Sequence, residues 1–163
     1  MFRERSPQGS LLQSEFLVPP AKAKRLERSW AEVFQERALP LIDEQRFAHL
    51  YCEDNGRPNR AVQTLMGVLL LKELFDLTDQ DALEQLEFNL HGHHALRLTA
   101  EESHLPQKTV HNFRARLLAH DGGRLAFEET TDRILTTLGT RLGKGEPDAS
   151  EKAGRISEWF ARL

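Results

Sequence analysis

Apolar and polar positions follow one another along this chain with helical rather than strand spacing, and one stretch departs even from that pattern. Within residues 56–75, Leu65, Met66, Val68, Leu69, Leu70 and Leu71 form a nearly unbroken apolar block, extended by Leu74 and Phe75. A helix starting near Asn59 or Ala61 and ending at Phe75 is apolar on almost every side, so it must be buried. The preceding stretches are one-sided. Leu26, Trp30, Val33 and Phe34 fall at helical spacing among Lys22, Lys24, Arg25, Glu27 and Arg28, predicting a single amphipathic helix over 21–38 that ends near Pro40. Leu41, Ile42, Phe47, Leu50 and Tyr51 predict a second, short helix stopped by the turn signal Asp54-Asn55-Gly56.

Beyond the apolar block, Thr78 is placed to cap a helix whose first turn holds Asp79 and Asp81, where carboxylates favour the helix dipole. Ala82, Leu83, Leu86 and Leu90 form its inward stripe, Asn89, His91 and Gly92 mark its end, and Ala95, Leu96 and Leu98 read as a packed connection. Pro106 suits the first turn of a helix running to about Ala119 with Val110, Phe113, Leu117 and Leu118 inward. Asp121-Gly122-Gly123 is expected to break the chain before a last long helix over 124–138, which buries Leu125, Phe127, Thr131, Ile134, Leu135 and Leu138. No segment alternates with period two between turns, so the expected fold is all-α, a multi-helix bundle. Residues 1–20, with Pro7, Gly9, Ser10, Pro19 and Pro20 around Phe16-Leu17-Val18, read as an irregular arm, and 21–138 as the helical domain. Residues 139–163 read as a linker followed by a short amphipathic helix, Ile156, Trp159, Phe160 and Leu163, docked on the domain or on another chain.

Composition narrows the class. A chain of 163 residues with 29% charged and 39% apolar positions is an ordinary globular domain with tails. No run approaches the roughly 18 apolar residues that span a bilayer, and Met1-Phe2-Arg3-Glu4-Arg5 offers no signal-peptide core, so the expectation is a cytoplasmic protein with no membrane partner. The single cysteine, Cys52, has no partner for an internal disulfide. The net charge of −3 argues against general coating of nucleic acid, but the charge is uneven. Residues 76–102 carry seven acidic residues against one basic, Arg97, whereas 103–124 carry four basic residues, Lys108, Arg114, Arg116 and Arg124, against one acidic, Asp121.

The histidines His91, His93, His94, His104 and His111 invite a zinc reading, but no cysteine pair or His-Glu-x-x-His helix supports convergence, and surface or capping roles account for them. The acidic run 76–87 reads as a solvated face and a helix N-terminus rather than as paired catalytic carboxylates. With no phosphate loop, nucleophile elbow or Cys-His pairing, no independent catalysis, cofactor or small-molecule substrate is expected. The helix from Pro106 is the better candidate. Gln107, Lys108, Thr109, His111 and Asn112 are of the types that reach base edges or phosphates, and Arg114 and Arg116 can neutralise backbone charge. A merely solvated helix face can have the same composition. Lys22, Lys24, Arg25 and Arg28 are secondary candidates for phosphate contact.

The order of these pieces carries more than any one of them. Gly56-Arg57-Pro58, the Leu-rich helix ending Leu69-Leu70-Leu71-Lys72-Glu73-Leu74-Phe75, then Leu77-Thr78-Asp79 with Leu83-Glu84-Gln85-Leu86, then Thr109-Val110-His111-Asn112-Phe113-Arg114-Ala115-Arg116-Leu117, resembles the N-terminal domain of bacterial insertion-sequence transposases of the DDE type. The resemblance spans roughly residues 16–138. It implies a helix-turn-helix-like part that binds double-stranded DNA at the element's terminal inverted repeats. The family's catalytic domain, with its two Asp and one Glu on two metal ions, has no counterpart here: around Asp148 the polar residues 143–150 replace the apolar strand that would carry the first Asp. The alternative is a protein-interaction or dimerisation domain in which the acidic helix or the 156–163 segment meets a partner, a homodimer among the options.

Overall fold

The computed structural model describes Phe2, Glu4, residues 18–51 and residues 59–142, and no β-strand occurs among them. The fold is all-α, as expected. Seven α-helices, α1 (Pro20–Leu26), α2 (Trp30–Val33), α3 (Val62–Leu74), α4 (Asp79–Phe88), α5 (Leu90–Leu96), α6 (Gln107–Ala119) and α7 (Asp121–Leu142), are joined by tighter and wider helical turns. The Asp54-Asn55-Gly56 turn, the Gly56-Arg57-Pro58 motif, Cys52, most of the N-terminal arm, Asp148 and the 156–163 amphipathic segment lie outside the described residues.

The predicted single helix over 21–38 is two helices. Ser29 interrupts it: its hydroxyl donates to the Leu26 carbonyl at 2.7 Å and accepts the Ala31 N–H at 3.2 Å, so one side chain closes α1 and caps α2. The chain then widens to a π-helical turn over Phe34–Ala38 and tightens to a 3-10 turn over Leu39–Leu41. Pro40, which has no N–H to donate, sits where regular α-helical pairing gives way. The predicted short helix after Leu41 is a 3-10 helix, Glu44–Leu50, capped by Asp43.

The apolar block forms α3, and nine of its thirteen residues are buried: Val62, Thr64, Leu65, Met66, Gly67, Val68, Leu69, Leu70 and Leu71. Its N-terminus has no cap of its own. The buried Glu44 carboxylate, 19 residues earlier, accepts the Gln63 N–H at 2.9 Å and supplies one. Its C-terminus closes with paired bonds from Leu77 N–H to the Lys72 carbonyl at 2.9 Å and from Asp76 N–H to the Glu73 carbonyl at 3.3 Å, with Asp76 left-handed at φ 54°. Next comes α4, capped by Thr78 and Asp81 in a reciprocal capping box.

Residues 90–96 form a helix rather than a connection. Asn89 ends α4 and caps α5, accepting the His91 N–H at 2.9 Å. Ala95 and Leu96 are buried, as their reading as a packed stretch expected, but Leu90, expected inward, is exposed, and His93 and His94, expected in surface or capping roles, are buried along with Gly92. Gly67 and Leu96 meet where α3 and α5 touch, and a Cβ on Gly67 would lie 2.3 Å from Leu96 Cδ2.

The break expected at Asp121-Gly122-Gly123 falls one residue earlier. His120 alone separates α6 from α7, and both glycines sit in the first turn of α7. Their role is close approach: a Cβ on the buried Gly123 would lie 2.7 Å from Leu50 Cδ2. Leu125, expected inward, lies about 160° around the helix from Phe127 and faces outward, while Ala126, Phe127, Thr130, Thr131, Ile134 and Leu138 make the buried stripe and Leu135 is only half-buried. At its far end α7 runs four residues past Leu138, into the stretch read as linker. It packs on α6, on the π-helical turn and on the Glu44–Leu50 helix, completing a core that also joins α2 to α5 and α3 to α4.

Candidate nucleic-acid interface

Helix α6 begins after Pro106, which provides no side-chain cap, and its first turn contains no carboxylate of its own to face the helix dipole. Its entry is held by the connection over residues 97–106. There Thr99 and Glu102 bond reciprocally, backbone to side chain, at 3.1 and 3.2 Å, Ser103 is buried, and Arg60 donates to the His104 carbonyl at 3.0 Å. That connection is longer than the three- or four-residue turn of a helix-turn-helix. Val110, Phe113 and Leu117 face the core, with the Phe113 ring 6.5 Å from that of Phe47. Leu118, expected inward, is 48% exposed.

At about 100° per residue, the buried trio occupies one side of α6, Lys108, His111 and Asn112 lie opposite it, and Gln107 and Arg116 are exposed at the two edges between. These are five of the seven positions singled out by residue type. Lys108, Asn112 and Arg116 are spaced by four and form one ridge along the helix. The Arg116 guanidinium lies 4.8 Å from the centre of the Tyr51 ring, close enough for a cation–π contact. Burial pushes the Tyr51 phenol pKa up, and the Arg116 charge pulls it partly back.

The other two positions flank the buried side. Thr109 is half-buried. Arg114 is turned toward α4, donating from both terminal nitrogens to the two carboxylate oxygens of Asp79 at 2.7 and 2.5 Å. Lys72, at the end of α3, approaches the same carboxylate at 3.7 Å and bonds Glu73 at 2.8 Å. The hydrogen bonds from Arg114 hold the Asp79 carboxyl below its usual 3.8, against the opposing effect of partial burial and with help from the charges of Arg114 and Lys72. Residue type alone gave Arg114 the same standing as Arg116. What distinguishes them is the partner each meets, the Asp79 carboxylate of α4 for Arg114 and the Tyr51 ring for Arg116.

The secondary candidates have a different setting. Lys22, Arg25 and Arg28 line a groove whose other residues include Asp81, Glu84 and the 76%-exposed Phe88, so carboxylates share the space with the cations. Coulomb repulsion from Asp81 and Glu84 disfavours phosphate there.

The histidines do not sit on the surface as a group. His93 and His94 are buried; His94 Nε2 lies 2.5 Å from a Glu32 carboxylate oxygen, joining α5 to α2, and His93 Nε2 lies 3.2 Å from the Glu87 carbonyl. Among the described residues no three His, Cys, Asp or Glu side chains converge as metal ligands, and no helix is long and apolar enough to cross a membrane.

The fold defines an all-helical scaffold that displays one polar, acid-free helix face. Residues 24–116, more than half of the chain, match the transposase domain family DUF772, and the chain belongs to that family. The match runs from within α1 to Arg116 on α6 and leaves α7 outside. No curated protein and no solved structure matches the chain.

Proposed function

We propose that this chain is the DNA-binding part of an insertion-sequence transposase, recognising the terminal inverted repeats of its element. The observation that carries the reading is the outer face of α6 in a transposase domain, where Lys108, His111, Asn112 and Arg116 point away from the core without an acidic residue among them. Lys108 and Arg116 supply charge for phosphates, Gln107, His111 and Asn112 supply donors and acceptors for base edges, and the uncapped first turn offers backbone N–H groups to a phosphate. In this reading α6 performs the recognition role of a helix-turn-helix, on a scaffold whose preceding connection is longer than in that motif.

The test is a titration of labelled duplex carrying an inverted-repeat end, beside a scrambled duplex of equal length, over a range of salt concentrations. Two or three neutralised phosphates give a slope of log K against log salt of roughly −2 to −3. The Lys108→Ala, Arg116→Ala double variant should make that slope shallower by about 1.8. Absence of binding near ~50 mM salt, or binding indifferent to the double variant, rejects the reading.

One observation favours a second reading, a protein-interaction or dimerisation domain: Phe88, at the end of the acidic helix α4, is the most exposed large apolar side chain of the described residues. A concentration-dependent mass that collapses on Phe88→Ser, with no DNA binding, would favour it.

A further inference from the structure

Arg114 and Asp79 form a bidentate side-chain ion pair, and it joins the helix carrying the polar face to the start of another. Asp79 is the first residue of α4, where the capping box of Thr78 and Asp81 fixes the backbone and the helix dipole favours a carboxylate. It also receives Lys72 from α3, so three helices converge on one carboxylate. The Arg114 side chain is only 21% exposed, and its Nε is buried without a hydrogen-bond partner. Its planar fork permits two parallel bonds to one carboxylate, which resist rotation of α6 about its own axis as a single bond does not.

We infer that Arg114 is a positioning residue and not a DNA contact: with Asp79 it sets the rotation of α6 so that Lys108, Asn112 and Arg116 face the duplex together. The inference rests on the DNA-binding reading above and adds how its interface is oriented. Losing the pair lets α6 populate other rotations, and only the fraction in the competent orientation binds. Apparent affinity then falls by that fraction, while the number of phosphates neutralised by the competent form stays the same.

Salt titration of the same duplex separates positioning from contact. Arg114→Ala should weaken binding about tenfold with an unchanged salt slope, whereas a lost phosphate contact makes the slope shallower by about 0.9. Arg114→Lys keeps a charge that can serve a phosphate but cannot reproduce the fork, so it should bind nearly as poorly as Arg114→Ala. Asp79→Asn removes the charged acceptor of the fork and leaves Arg114 in place, so positioning predicts binding weakened several-fold, in the same direction as Arg114→Ala and with an unchanged salt slope. An Arg114 that contacted DNA directly would instead be released by Asp79→Asn, leaving affinity at or above the wild-type level. Circular dichroism on each variant reports folding, and Arg114→Lys carries the decision if Arg114→Ala is unfolded. A shallower slope for Arg114→Ala, wild-type affinity for Arg114→Lys, or affinity at or above wild type for Asp79→Asn overturns the inference. Wild type that fails to bind overturns the DNA reading itself, a different outcome from wild type that binds while these variants behave as contacts.

Discussion

Helices α3 and α6 have the same length, thirteen residues, and opposite relations to the rest of the molecule. Nine residues of α3 are buried, so nearly every direction from its axis meets protein. Only three residues of α6 are buried, and its orientation depends on that stripe and on one ion pair at its edge. A helix enclosed on all sides has no free surface and acts as support. A helix anchored along one side can display the other, and its function becomes sensitive to small rotations. The two are linked through charge as well as packing, since Lys72 of α3 and Arg114 of α6 share the Asp79 carboxylate.

The largest effect should come from hollowing the supporting helix. Leu69→Ala removes a fully buried side chain from the middle of α3 and should cost about 2–5 kcal/mol in a denaturant melt. A cost near that of a surface substitution would mean that α3 is not the rigid support. Next in size is crowding at the α3–α5 contact. Gly67→Ala gains helix propensity, but its Cβ would lie 2.3 Å from Cδ2 of the fully buried Leu96, which would have to shift within a packed interior. Net destabilisation of about 1–3 kcal/mol is expected, and a variant more stable than wild type would show that the contact relaxes.

The smallest effect is at the link between the two helices and depends on pH. Because the folded-state pKa of Asp79 is depressed below 3.8, the ionised carboxylate stabilises the fold above that value, and the contribution is lost as pH falls through the lowered folded pKa. Asp79→Asn should therefore be less stable than wild type at neutral pH by about 1 kcal/mol, a modest figure because the site is partly open to solvent. The gap should narrow on acidification below 3.8. A gap independent of pH would show that shape at position 79, rather than charge, makes the link.

Much of the scaffold was legible along the chain because the signals involved are local. The apolar block of α3, the Thr78 cap with Asp79 and Asp81, and the stripe of Val110, Phe113 and Leu117 all appear in the structure as their spacing requires. The misplacements have physical causes of the opposite kind. Ser29 split a continuous amphipathic pattern because its hydroxyl can serve two helices at once. Gly122 and Gly123 resembled a break, yet Gly123 allows α7 to approach Leu50. His93 and His94 resembled a surface cluster because nothing in their spacing shows that Glu32, 62 residues from His94, meets one of them.

The candidate site divides along the same line. Residue types and a 3.6-residue period determined that α6 would have a core side and polar outer faces, and that Gln107, Lys108, His111, Asn112, Arg114 and Arg116 would fall on the latter. Two arginines separated by a single residue were indistinguishable at that level. Tertiary structure alone decided that Arg116 would remain exposed beside Tyr51 while Arg114 turned to Asp79, because the partner lies 35 residues away on another helix. Local sequence carries periodicity and caps, which depend on residues a few positions apart. The identity of an ion-pair partner depends on how separate helices pack, and the spacing of residues along one helix contains no record of it.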